Sequence, residues 1–226
     1  RSYNFFVQDA YRIRPDLVLS LGARYEYNTP AVDPANRATL YDDARGGLTP
    51  VGQNGMPRGG YFADRNNFGP RVGLAWNPGR AGTVLRAGYG VYYDQSALAP
   101  GEGLYFNAPY YVFQLYFSLP AAPLSLRNPF PANYPLPWPA SALAFQRDLR
   151  TPYIQHWSFG VQQQIGPGRV VEVAYVGSKG TKLISGRDIN QPAPGPRQPN
   201  LRPNPLFADV NRIESLRDLI EGYDRQ

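Results

Sequence analysis

A chain of 226 residues that carries 23 glycines and 24 prolines cannot be mainly helical, because both residues are costly inside helices. Its 17 tyrosines favour strands and membrane–water boundaries, and the absence of cysteine rules out disulfides and thiolate metal sites. A net charge of +6 with a pI near 9.5 would suit nucleic acid, but the lysines and arginines are scattered singly and form no basic run, so no nucleic-acid partner is expected. No stretch approaches the ~20 apolar residues of a transmembrane helix, a test that membrane-spanning strands escape because they alternate apolar and polar residues. The chain starts at Arg1 with neither Met nor an apolar signal sequence, so it is expected to be processed or partial.

The first predicted elements are strands over 3–13 and 17–27, joined by Arg14, Pro15 and Asp16, a polar turn with proline preset for the bend. In the second, Leu17, Leu19, Leu21, Ala23, Tyr25 and Tyr27 share one face and Ser20, Gly22, Arg24 and Glu26 the other, a period of two. A second pair covers 68–76 and 83–94. There Val72, Leu74 and Trp76 oppose Arg71 and Gly73, and Leu85, Tyr89 and Tyr93 oppose Arg86, Gly88 and Gly90. A third pair covers 153–165 and 170–178 across Gly166, Pro167, Gly168 and Arg169, with Trp157, Phe159, Val173 and Tyr175 opposing His156, Ser158 and Glu172. The intervening segments, 28–67, 95–151 and 179–208, far exceed the usual ~4–6 residue connection.

Short turns at one end and long loops at the other are the asymmetry of outer-membrane barrels, in which the sheet closes to pair every backbone group while outer loops grow freely. The expected fold is therefore all-β: an antiparallel up-and-down meander, part of a large transmembrane β-barrel with long extracellular loops. Residues 1–207 would form the partial barrel. Tyr25, Tyr27, Trp76, Tyr93, Trp157 and Tyr175 are candidates for the membrane girdle, although each is also consistent with an ordinary core. Arg24, Glu26, Arg71, Arg86, His156 and Glu172 would face the lumen. The competing fold is a soluble β-sandwich, with the apolar face in a core and the polar face in water. Over 208–226, Val210, Ile213, Leu216 and Ile220 fall near helical spacing. They predict a short amphipathic helix, with a loop leading to a seventh strand as the alternative and truncation at Gln226.

The blocks "NFFVQDAYRIRPDLVLSLGARYEY" at 4–27, "NNFGPRVGLAWNP" at 66–78, "TVLRAGYGVYYDQ" at 83–95 and "TPYIQHWSFGVQQQIGPGRVVEVAYVGSKGTKL" at 151–183 resemble, in order, the strands of the Oar-like TonB-dependent receptors. The resemblance implies a barrel commonly of ~22 strands, a plug domain preceding it, and energised uptake through the TonB complex. These residues contain no plug, TonB box or carboxypeptidase-regulatory-like extension, and six strands cannot close such a barrel. With two unpaired edges, the six strands are expected to aggregate unless the missing strands are supplied.

The residues offer little catalytic chemistry, and neither an enzyme nor a cofactor is expected. His156 is the single histidine and reads as a polar lining residue of the lumen. Asp42 and Asp43 lack the alternating acids and closing Glu of a calcium loop and read as a solvated turn, so no metal site is expected. The run from Gly177 to Lys182 lacks the spacing of a phosphate cradle and reads as a strand end entering a surface loop. Glu26, Glu172 and Asp94 could act as acid and base only if their strands were neighbours.

The segment "GLYFNAPYYVFQLYFSLP" within 95–151 is the strongest candidate for ligand contact. Tyr105, Phe106, Tyr110 and Tyr111 could stack there on sugars or other flat ligands, or simply pack with other loops over the barrel mouth. The run from Pro192 to Pro205 reads as a stiff spacer. Three functions remain in view: energised uptake of an extracellular ligand across the outer membrane, a structural, adhesion or export-related barrel without energised transport, or, as the third option, a soluble β-sandwich binding module. Outer-membrane lipid is the expected partner of the first two.

Overall fold

The computed structural model describes residues 1–79, 82–94, 106–111, 116–132, 140–195 and 201–216. Six long strands form one antiparallel meander: β1 (Ser2–Arg14), β2 (Leu17–Asn28), β5 (Phe68–Trp76), β6 (Thr83–Tyr93), β8 (Tyr153–Gln164) and β9 (Val170–Thr181), neighbours in that order. They match the predicted pairs, except that β9 continues to Thr181, so most of the glycine- and lysine-containing run lies inside a strand and not in a loop. At the β8–β9 turn Gly166 and Gly168 have φ of 85° and 73°, left-handed values that side-chain-bearing residues rarely adopt, and Ile165 N–H donates to the Arg169 carbonyl at 3.0 Å. At the β1–β2 turn, on the same end of the sheet, the Trp76 indole N–H donates to Asp16 at 3.3 Å, tying β5 to that turn.

Because directly paired residues share a face, the register carries the alternation of each strand across the whole sheet. Leu21 pairs with Val72, Val72 with Tyr89, Tyr89 with Trp157 and Trp157 with Gly177. This face is mainly apolar on all six strands, with Asp9 and, past a bulge, Arg14 on β1 and Lys179 on β9 as its charged exceptions. Many of its side chains are exposed, Phe5 by 65%, Val173 by 69% and Phe159 by 51%, whereas Val91 is buried. A soluble sandwich would bury exactly such residues at about 25 cal/mol per Å², so the sheet is inside-out for water and suited to lipid. The other face carries Gly, Ser and Arg, together with Glu26, His156 and Glu172.

The buried core lies elsewhere. The long connections contain short strands: β3 (Thr39–Asp42) pairs with β4 (Gly47–Pro50), while β7 (Ala142–Phe145), β10 (Ile184–Asp188) and β11 (Val210–Ser215) make a second small sheet in the order β10–β11–β7. Ala38, Leu40, Val51, Met56 and Phe145 form one buried cluster, and Ala142, Ala144 and Val210 another. Three long loops thus fold onto one another into a cap at the long-loop end of the sheet. Over 210–215 a strand stands where the spacing predicts an amphipathic helix, and residues 217–226 lie outside the described residues. Val210–Ser215 is a strand, antiparallel to β10 and parallel to β7, because its backbone groups find partners on both sides. Ile220 lies outside the described residues.

Candidate functional site

The cap presents the aromatic segment on a rigid base. Asn107 is 2% exposed, and its amide donates to the carbonyls of Thr39 at 2.8 Å and Leu143 at 3.0 Å while accepting from Leu143 N–H at 2.8 Å. One side chain therefore bonds β3 and β7 together and pins the loop that carries the aromatics. Directly beside it, Phe106 and Tyr111 meet edge to face at 5.0 Å, and the Tyr111 N–H donates to the Asn107 carbonyl at 3.2 Å. Phe106, Tyr110 and Tyr111 keep their rings in the open, Tyr110 by 56%. Tyr105 lies outside the described residues.

Ion pairs with one buried partner hold the cap closed. Asp42 is 2% exposed, not solvated: it accepts from Arg45 at 2.9 Å and from Arg147 at 2.9 Å, and its second oxygen receives the Ala44 N–H. The adjacent Asp43 meets Arg212 at 2.9 Å, and Arg212 and Arg187 share the buried Glu214. Near the cap entrance Asp64 holds Arg150 and the Thr151 N–H. The end of the Pro192–Pro205 run, expected as a stiff spacer, is anchored: the buried Asn190 exchanges hydrogen bonds with Asn204, and Arg202 pairs with Asp188 and Asp209. Residues 196–200 of that run lie outside the described residues.

Two carboxylates make the cap sensitive to acid. Hydrogen bonds from the Arg37 side chain and backbone lower Asp33 from 3.8 to about 2, and for Asp42 the Arg45 and Ala44 bonds and the nearby Arg147 outweigh the upward push of burial. Folded values below the unfolded ones stabilise fully above the unfolded value of 3.8, and that stabilisation is lost as pH falls towards the folded values. Between pH 5 and 2.5, hydrogen exchange corrected for its intrinsic rate is expected to show β3 and β4 losing protection while β2, β5 and β6 keep theirs. Equal loss in both would contradict this assignment.

On the sheet, the expected lumen residues Arg24, Glu26, Arg71, Arg86, His156 and Glu172 all lie on the polar face. Arg24 pairs with Glu26 at 2.7 Å, and Glu172 accepts from Gln162 at 3.0 Å. Glu26, Asp94 and Glu172 are not brought together, since β2, β6 (whose end Asp94 follows) and β9 are not neighbours. No group of acids and histidine suited to a metal ion occurs among the described residues.

The girdle candidates separate by height. Tyr25 and Phe68 (4.8 Å between rings), Tyr93 and Tyr153 (5.4 Å), and Tyr3 and Tyr27 (6.1 Å) make a belt at the long-loop end. Arg65 and Lys182 sit over Tyr27 and Tyr153, each at 5.9 Å, as cations do at a headgroup boundary. Trp76 stands at the turn end. Trp157 and Tyr175 face the same way but at mid-strand, paired with Tyr89 and Phe159. Tyr3, Phe68 and Tyr153 join the belt unpredicted.

A family model described as an outer membrane beta barrel domain matches residues 1–219. Among solved structures, the chain is similar to the siderophore receptor PirA from Pseudomonas aeruginosa, with a TM-score of 0.46 and 11% identity over 95% of this chain and 28% of that one. It is also similar to the outer membrane transporter YddB from Escherichia coli, with a TM-score of 0.45 and 15% identity over 95% and 28%. The chain thus spans 28% of the length of these structures. No curated protein matches the sequence.

Proposed function

The chain belongs to the outer membrane beta barrel domain family and resides in the bacterial outer membrane, and from that premise we propose that it is part of the barrel of an Oar-like TonB-dependent receptor that takes up an extracellular ligand. The role is non-enzymatic: the barrel supplies the passage, the cap meets the ligand, and the TonB complex acts through a plug domain outside these residues. In this reading residues 1–207 are barrel wall and cap, and 208–226 lead towards further strands.

The observation that carries the proposal is the cap itself. Loops that merely linked strands would need no core, no buried Asn107 and no shared ion pairs, whereas a ligand site needs rings held in place on a rigid support. Phe106, Tyr110 and Tyr111, with Tyr105 next in sequence, present flat apolar surface beside hydroxyls, which fits a sugar or another flat ligand. An anchor for adhesion or export would use the same cap as a passive surface.

Uptake by cells expressing the intact protein separates these readings. Tyr110→Ala combined with Tyr111→Ala is expected to raise the half-saturating ligand concentration at least tenfold while surface abundance stays unchanged. Unchanged uptake would remove this segment as the ligand site, and uptake that persists without TonB would favour the passive barrel.

A further inference from the structure

The polar face of the sheet holds a second candidate, a cavity of 340 Å³ lined by residues of β1, β2, β5, β6, β8 and β9. Arg71 stands in it alone. Its neighbours on the same face are glycine in all four directions of the sheet: Gly69 and Gly73 along β5, Gly22 across on β2 and Gly90 across on β6. Four glycines leave the guanidinium with no adjacent side chain to pair with, and Arg71 makes no hydrogen bond or ion pair among the described residues. Its Nε is shielded from solvent and without a partner, a cost normally met by an acceptor.

One ring organises the space. Tyr92 folds back over Gly90, where an added Cβ would come within 2.8 Å of it, and it takes the Arg71 guanidinium on its face at 4.6 Å and the edge of His156 at 5.5 Å. His156 pairs directly with Gly90, so Arg71 and His156 flank the glycine from opposite sides. The charge of this wall is one-sided. Arg12, Arg71 and Arg86 have no acidic partner among the described residues, while Glu26 is taken by Arg24 and Glu172 is hydrogen-bonded by Gln162.

We infer that Arg71, Tyr92 and His156 form a carboxylate-binding site on the inner wall of the barrel. The fork of a guanidinium matches the two oxygens of a carboxylate, stacking on Tyr92 fixes the plane of that fork, and His156 supplies a further donor from the opposite side. This inference rests on the barrel alone and not on the uptake reading. The carboxylate is either that of a small organic acid in the lumen or that of an acidic side chain of polypeptide filling it.

The test is the Nε–H resonance of Arg71 in the intact protein, labelled with ¹⁵N-arginine in nanodiscs and assigned by its absence in Arg71→Lys. If a small acid is the ligand, succinate shifts this resonance saturably and Tyr92→Ala weakens succinate binding at least tenfold. If a side chain already occupies the site, the proton is shielded and slow to exchange before any addition, succinate has no effect, and a neighbouring carboxylate carbon shows through-space contact with the arginine. An Nε–H that exchanges freely and ignores succinate would overturn the inference, as would an equal shift at Arg86, which would mark only general attraction to a positive wall. Arg71→Lys keeps the charge without the fork, so its folded signal separates loss of binding from loss of structure.

Discussion

Val72→Arg is expected to lower the stability of the barrel by about 2–4 kcal/mol, because it places a charge on the lipid-facing side near the middle of the bilayer. Val72 lies in the row that joins Leu21, Tyr89 and Trp157 and is well removed from the aromatic belt at the long-loop end. Ser158→Arg is the matched control: one position along β8 from Trp157, it faces the polar side and should change stability little. Urea unfolding of the intact protein from lipid vesicles reads both. Equal destabilisation by the two, or tolerance of Val72→Arg with damage from Ser158→Arg, would reverse the assignment of faces.

Gly60→Val is expected to open the cap while leaving the sheet intact. Gly60 has φ of 82°, and a Cβ there would lie 2.4 Å from a Leu40 methyl and 2.7 Å from the Phe145 ring, both in the buried cluster that joins β3 to β7. Left-handed strain in a β-branched residue and overpacking each cost of order 1–3 kcal/mol, and the small core of the cap has little to offset both. Limited proteolysis of whole cells should then cut within the 43–62 region, while the intact barrel keeps its compact mobility on unheated gels. Loss of the compact barrel band together with the cap would show that the two fold as one unit.

The long strands were legible because lipid and lumen impose a period of two over a dozen residues, and tight turns fixed their pairing. Height was not legible from the same pattern: alternation gives the face of Trp157 and Tyr175, and only the register shows them at mid-strand. The cap escaped detection for a different reason. Strands of four residues such as Thr39–Asp42 and Ala142–Phe145 offer too few repeats to count, and their pairing joins segments far apart in the chain. The spacing of Val210 and Ile213 imitates a helix, but pairing with β7 and β10 outweighs local periodicity over 210–215. Asp42 looked solvated beside Asp43 because its partner Arg147 belongs to another loop. Alternation puts Arg71 on the face opposite Val72 and Leu74, but its isolation appears only when Gly22 and Gly90 are brought alongside it by the register.

The measurement that bears most directly on the barrel is spin-label accessibility along β6 in the intact protein in bilayers, one introduced cysteine at a time from 85 to 92; the present residues contribute no cysteine of their own. The account predicts that labels at Leu85, Ala87 and Tyr89 are relaxed by lipid-dissolved oxygen and are silent to a water-soluble nickel reagent. Labels at Arg86, Gly88, Gly90 and Tyr92 should lack the oxygen effect. Nickel accessibility at the first set, or no alternation at all, would contradict a membrane-spanning strand and return the apolar face to a soluble core.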